Sequence, residues 1–168
     1  MMSNRILETE RLSLREFNLN DAKFTLQLLN TPTWLKFIGD KNVHNIKEAE
    51  NYLTAGPMTS YKEHGFGLWL VSQKERNKPI GMCGLIKRDY LAEVDIGFAL
   101  LPNYAGLGYG YEIASATLTH SRNILQIDKV MAITDVNNAS SIKLLNKLGL
   151  RFEKSIITPD HDTVSLFK

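Results

Sequence analysis

The chain has 168 residues, 43% of them hydrophobic and 23% charged, and 20 Lys and Arg against 18 Asp and Glu give a net charge of +2. This length suits one domain that buries roughly 70% of its unfolded surface, so no disulfide or metal is needed to hold it together. The near balance of charge excludes a general nucleic-acid coat protein, and a single cysteine, Cys83, excludes an internal disulfide and fits a reducing compartment.

Near the N-terminus, Arg5, Glu8, Glu10, Arg11 and Arg15 interrupt any apolar signal-peptide core. The longest stretch without Asp, Glu, Lys or Arg, residues 96–111, is rich in glycine and holds Pro102, so it is no membrane helix. A cytoplasmic protein is expected, with no membrane and no specific nucleic acid as partner.

Residues 11–17 alternate apolar Leu12 and Leu14 with polar neighbours and end in Phe17, which predicts a half-buried strand. Asn20-Asp21 opens a helix with Ala22, Leu26 and Leu29 near helical spacing, and Thr31-Pro32 is read as its stop. A second helical region covers 46–63, broken at Gly56-Pro57. Leu68 to Val71 and Ile80 to Ile86 form a hairpin around the turn at 76–79, and residues 93–101 form a third strand.

A glycine-rich loop at 104–110 then leads into a helix on which Ile113, Ala116, Thr117, His120 and Ile124 keep helical spacing. Residues 129–135 are a strand, 138–148 a short helix, and 151–157 and 162–167 two final strands. Hairpins mixed with a strand–helix–strand crossover predict an α+β domain with a mixed sheet.

The loop Tyr104-Ala105-Gly106-Leu107-Gly108-Tyr109-Gly110 follows a strand and opens a helix. The first N–H groups of a helix lack partners and attract an anion, and glycines let a phosphate reach the main chain. A diphosphate is the natural ligand; a ligand-free turn is the alternative. No Gly-Lys-Ser/Thr of a Walker loop is present, and the third glycine comes one residue early for a dinucleotide fingerprint.

The segment LLPNYAGLGYGYEIA resembles the acetyl-CoA pyrophosphate loop of the GNAT superfamily of N-acetyltransferases, with the family's two glycine positions on Gly108 and Gly110 and its first position on Ala105. ETERLSLREF resembles the family's opening strand. DIGF at 95–98 resembles its Glu-Ile-Gly-Tyr, and NNASSIKLLNKLGLRFE resembles its Asn-x-x-Ser motif, helix and Gly-Phe. Phe98 stands for the usual tyrosine and Leu150 for the usual phenylalanine. The likeness runs over residues 7–168 as one domain. Within the superfamily it is strongest to the RimJ/RimL type, which acetylates N-termini of ribosomal proteins.

The resemblance implies a mostly antiparallel mixed sheet flanked by helices, with a splay between strands 93–101 and 129–135. Acetyl-CoA would be the acyl donor, its pantetheine arm paired with the main chain of Phe98, Ala99 and Leu100. Its diphosphate would sit at the loop, on Ala105, Gly106, Leu107, Gly108, Tyr109 and Gly110. By position alone Asn138 is a helix cap; the family role is a contact to pantetheine. Ser141 is either part of the capping turn or, as the resemblance implies, a donor to the CoA sulfur. Leu145 occupies the place of the tyrosine used by many members.

Asp95 shares a strand face with Glu93, Gly97 and Ala99 and matches the family's usual glutamate. It reads as a direct or water-mediated base, or else as an edge charge or a ligand-orienting contact. The acceptor pocket implied by the family lies in the first helical region, with Trp34, Phe37, His64 and Phe66 as candidates beside Ile38 and Tyr61. The expected acceptor is a peptide or protein N-terminus, with a small amine (polyamine, amino acid or antibiotic) as alternative; a non-catalytic acyl-CoA sensor is the rival of another class. Cys83 lies in an apolar strand and reads as core. His44, His64, His120 and His161 have no metal-ligand spacing, so no metal is expected. Lys143 and Lys147 share a helix face that either meets the CoA 3′-phosphate or is simply solvated. A monomer or homodimer is expected.

Overall fold

The computed structural model describes residues 4–168. Eight strands form one sheet: β1 (Arg5–Glu8), β2 (Leu12–Arg15), β3 (Leu68–Gln73), β4 (Lys78–Ile86), β5 (Val94–Leu100), β6 (Val130–Asp135), β7 (Phe152–Ile157) and β8 (Thr163–Phe167), in the order β1-β2-β3-β4-β5-β6-β8-β7. Every neighbouring pair is antiparallel except β5 and β6. This is the mixed, mostly antiparallel α+β sheet that the sequence predicts.

Strand alternation divides the core between the two faces. One face carries Trp69, Val71, Cys83, Leu85 and Ile96 against Ile113 and Ala114 of α5 (Tyr109–Asn123) and Leu145 of α6 (Ala139–Lys147). The other carries Leu70 and Met82 with Leu28 and Leu29 of α1 (Ala22–Leu29), Trp34 of α2 (Pro32–Phe37) and Leu53 of α3 (Ile46–Leu53). The sheet packs closely at the centre. A Cβ on Gly84 would lie 1.9 Å from the Gly67 carbonyl oxygen, so only glycine fits there.

Three local readings are corrected. The first strand is a hairpin, because β1 precedes β2 and the Thr9 N–H donates to the Leu12 carbonyl across the turn; β2 ends at Arg15, before Phe17. Thr31-Pro32 starts a helix instead of only stopping one. The Thr31 side chain accepts from the Trp34 N–H, and Pro32 occupies the first helical position, where its missing donor costs nothing. Gly56-Pro57 does not break the chain's winding either. A π-turn over Thr54–Met58 accommodates Pro57 and carries α3 into α4 (Thr59–His64).

Candidate active site

β5 and β6 pair only at Val94 with Val130 and Asp95 with Met131, and then diverge. The Leu101 N–H donates to the Ile80 carbonyl, in unbroken register with the β4–β5 ladder. Antiparallel alternation then turns the peptide groups of Ala99 toward β4 and those of Phe98 and Leu100 toward the splay. Two of the three backbone candidates thus present free donors and acceptors to a ligand, while the Ala99 side chain lines the cleft.

That cleft has a volume of about 760 Å³ and runs from the α2–α4 layer through the splay to α6. Trp34, Phe37 and His64 line it on one side, and Asn138 and Ser141 on the other. Phe66 is not among the lining residues; it is buried in the core, its ring stacked 5.6 Å from that of His64. Tyr61 is structural: its hydroxyl donates to the Leu68 carbonyl and accepts from the Phe17 N–H at 3.1 Å. The π-turn shapes the wall through Ala55, Gly56 and Pro57.

Asp95 is 1% exposed, and its carboxylate accepts from Arg88 Nε at 3.0 Å. Burial pushes its pKa above the usual carboxylate value, although the Arg88 charge and hydrogen bond pull the other way. Its side chain lies on the α1–α4 face, the face on which a Cβ at Gly97 would meet Ile86 and Leu68.

Asn138 is the N-cap of α6, and its Oδ1 accepts from the Ser141 N–H at 3.2 Å. Capping engages only that oxygen, so the Nδ2 amide is left to donate to a ligand carbonyl. Ser141 lines the cleft, and among the described residues none hydrogen-bonds its hydroxyl, which is left free to donate.

At the glycine loop, Gly106 (φ +73°) and Gly108 (φ +82°) take left-handed conformations that side chains disfavour. The first intrahelical bond of α5 runs from the Glu112 N–H to the Gly108 carbonyl. The N–H groups of Tyr109, Gly110 and Tyr111 therefore remain available to an anion.

The sequence matches the acetyltransferase (GNAT) domain family over residues 11–151. The chain belongs to that family. A curated relative, the uncharacterized N-acetyltransferase p20 of Bacillus licheniformis, is 27% identical over 157 residues, 93% of this chain and 86% of that one. Among solved structures, RimL, a ribosomal L7/L12 α-N-protein acetyltransferase in complex with coenzyme A, superposes with TM-score 0.82 at 17% identity, over 98% of this chain and 96% of that one. A chimera of the spermidine N-acetyltransferase SpeG from Vibrio cholerae with hSSAT gives 0.77 at 17% identity, over 94% of each. At these identities the structural likeness is one of fold. The family match makes this protein an N-acetyltransferase and so an acyltransferase.

The acetyltransferase holds site residues that the sequence did not single out. Arg88 pairs with Asp95, and its Nη1 reaches the Tyr90 hydroxyl at 3.4 Å. Tyr52 lines the same cleft, and burial pushes its hydroxyl pKa up to about 12, so it stays a neutral donor. Neither sits in a motif; only the fold brings them to the cleft. Cys83 is in the core, its thiol pushed up to about 12 by burial and 3.4 Å from the Thr117 hydroxyl. Lys147 Nζ lies 4.2 Å from the Tyr111 ring centroid, and Arg151 Nη1 donates to the Asn146 carbonyl near the end of α6. Among the described residues, no three His, Cys, Asp or Glu side chains gather to hold a metal, and no helix is long and apolar enough to cross a membrane.

The unengaged Ser141 hydroxyl leads to a direct expectation. Ser141→Ala should lower kcat about tenfold, or ~1.4 kcal/mol at the transition state, with little change in acetyl-CoA affinity or melting temperature. The cap is formed by the Ser141 backbone N–H, which alanine retains. Steady-state kinetics beside thermal denaturation checks this, and unchanged turnover would leave Ser141 only a lining residue.

Proposed function

We propose that residues 7–168 act as a single cytoplasmic domain that transfers acetyl from acetyl-CoA to the α-amino group of a peptide or protein. The residues fit such a donor. Phe98 and Leu100 offer unpaired peptide groups at the splay, Asn138 offers an amide, and the loop at Ala105–Gly110 offers a concavity that glycine keeps open. When bound, acetyl-CoA supplies the acetyl group as a thioester that a neutral amine attacks directly, with the CoA thiol leaving. Ser141 would donate to the sulfur as negative charge develops there. Asp95 would accept the amine proton, directly or through a water, from the acceptor face of β5. Trp34, Phe37 and His64 would flank the acceptor.

The observation that carries the α-amine reading is the pairing of Asp95 with Arg88. Burial raises the Asp95 pKa but the Arg88 pairing limits the rise, so the carboxylate stays a modest base beside an amine. An α-amino group, with a pKa of about 7.7–8.0, is about one-tenth neutral near pH 7, whereas lysine at about 10.4 is neutral in fewer than about one molecule in a thousand. A modest base and good orientation suffice for the first and not for the second. The fold likeness to RimL and to SpeG is compatible with a protein or a polyamine acceptor, so the discriminating test is chemical.

Thiol release from acetyl-CoA should be measured with three acceptors: a peptide with a free N-terminus, the same peptide α-blocked but carrying lysine, and spermidine. The free N-terminus should give a kcat/KM at least about tenfold above the others, following the neutral fractions. Product mass identifies the modified nitrogen. Preference for the blocked peptide or for spermidine overturns the α-amine assignment. Coenzyme A binding without turnover of any amine would favour a sensor.

A further inference from the structure

We infer that Arg11, in the turn between β1 and β2, is the positioning residue that sets the peptide orientation of the diphosphate loop; this rests on the acetyl-CoA reading above. The guanidinium touches the loop at several points. Nη1 donates to the Leu107 carbonyl at 3.0 Å, and Nε donates to Glu112 Oε2 at 2.7 Å. The group lies 4.2 Å above the Tyr109 ring centroid. Nη2 stands 3.3 Å from where a Cβ on Gly108 would be.

The anchor beneath it is also built. Glu112 Oε1 accepts from the Arg11 N–H at 2.9 Å and from the Thr9 hydroxyl at 2.6 Å. Burial alone would raise the Glu112 pKa, but the Thr9 and Arg11 hydrogen bonds outweigh it and hold the carboxylate below its ordinary value. Gln73 of β3 donates to the Tyr109 hydroxyl at 3.0 Å and fixes the ring on which Arg11 rests.

The consequence follows from peptide geometry. The described chain has no cis peptide bond, and in a planar trans peptide the C=O and the following N–H point in opposite directions. By holding the Leu107 carbonyl, Arg11 turns the Gly108 N–H away from itself. That N–H then joins those of Tyr109, Gly110 and Tyr111 on the open side of the loop. A flip of this peptide turns on ψ of Leu107 and φ of Gly108, and glycine accepts either sign of φ, so nothing local prevents it. A flipped peptide would offer a carbonyl oxygen to the diphosphate in place of a donor. Arg11 thus acts through the loop, without needing to touch the ligand.

Calorimetric affinity for coenzyme A should be compared among wild type, Arg11→Gln and Arg11→Lys, together with kcat/KM for S-acetyl-pantetheine, a donor that lacks the diphosphate. Arg11→Gln should bind coenzyme A about tenfold more weakly, the scale of one charge-assisted hydrogen bond. Arg11→Lys should recover little of this, because one ammonium cannot serve the Leu107 carbonyl and Glu112 in the fork geometry. S-acetyl-pantetheine should be used equally well by all three. Full recovery in Arg11→Lys would show that charge alone matters and overturn the inference. Parallel loss with both donors would overturn it too, because Arg11 would then be supporting the fold in general. Unchanged coenzyme A affinity in both variants overturns this inference alone, whereas failure of wild type to bind coenzyme A overturns the acetyl-CoA reading with it.

Discussion

Gly110→Asp should weaken acetyl-CoA binding by at least about thirtyfold while leaving the fold as stable as before. Gly110 is the second residue of α5, and its φ is not positive. A Cβ there would meet only the flexible end of Leu144, at 3.2 Å. An aspartate in the first turn favours the helix by about 0.3–1 kcal/mol through the helix dipole. The same carboxylate would stand beside the bound diphosphate. Like charges about 4 Å apart repel by about 1 kcal/mol in water and about 4 kcal/mol at an effective dielectric constant of 20. Even the lower end, summed over two diphosphate charges, gives roughly 2 kcal/mol, or about thirtyfold in affinity. Binding should therefore fall while stability is kept, which separates this variant from ordinary damage. Gly108 is a poorer choice, since any side chain there is strained at φ +82° and crowds Arg11. Calorimetry with acetyl-CoA beside thermal denaturation is the measurement, and equal affinity in a folded variant would remove the diphosphate from this loop.

The glycine loop could be read from sequence because its determinants are local. Gly106 and Gly108 supply left-handed backbone just where β5 gives way to a helix, and the observed helix starts at Tyr109. Strands 68–71, 80–86 and 129–135 were equally readable, because their apolar runs are bounded by turns and their cores are close in sequence to their ends. The π-turn was harder. Proline normally interrupts a helix, but here Pro57 is buried inside the wider turn, which a reading of local sequence does not show. Thr31-Pro32 is ambiguous for another reason: the same pair that discourages continuing one helix caps and starts the next. The short β1 gives too few residues for a period to show.

Side-chain partnerships were the least legible. Arg88 and Asp95 are only seven residues apart, yet nothing in their spacing says that the turn between β4 and β5 folds one onto the other. Arg11 and Glu112 are separated by 101 positions and meet only because β2 and α5 lie at the same end of the sheet. Likewise, the face that Asp95 shares with Gly97 and Ala99 follows from strand alternation, but which layer covers that face does not. The candidate site was therefore legible as a set of motifs. The partners those motifs meet, Arg88 at Asp95 and Arg11 at the Leu107 carbonyl, belong to the tertiary structure.

Asp95→Asn should cut kcat/KM for an N-terminal peptide about tenfold at pH 7 and much less at pH 9. A general base commonly contributes about a hundredfold or more, but an α-amine that is already about one-tenth neutral near pH 7 needs less help. Wild-type kcat/KM should rise with pH as Asp95 ionises, above the usual carboxylate range, and again as the amine loses its proton at about 7.7–8.0, and then level. The variant should keep only the second rise. Stability should move with the opposite sign. Because folding raises the Asp95 pKa, the protonated form is the one favoured by the native state. Its contribution is complete below the unfolded value of about 3.9 and is lost as pH climbs through the raised folded value. The variant lacks that loss, so its stability relative to wild type should improve across the same window, even though Arg88 loses its anion. Paired pH profiles of kcat/KM and of denaturant midpoints test both halves. Superimposable rate profiles would take Asp95 out of proton transfer. A stability gap that widens against the variant as pH rises would mean that Arg88, rather than burial, governs the charge on Asp95.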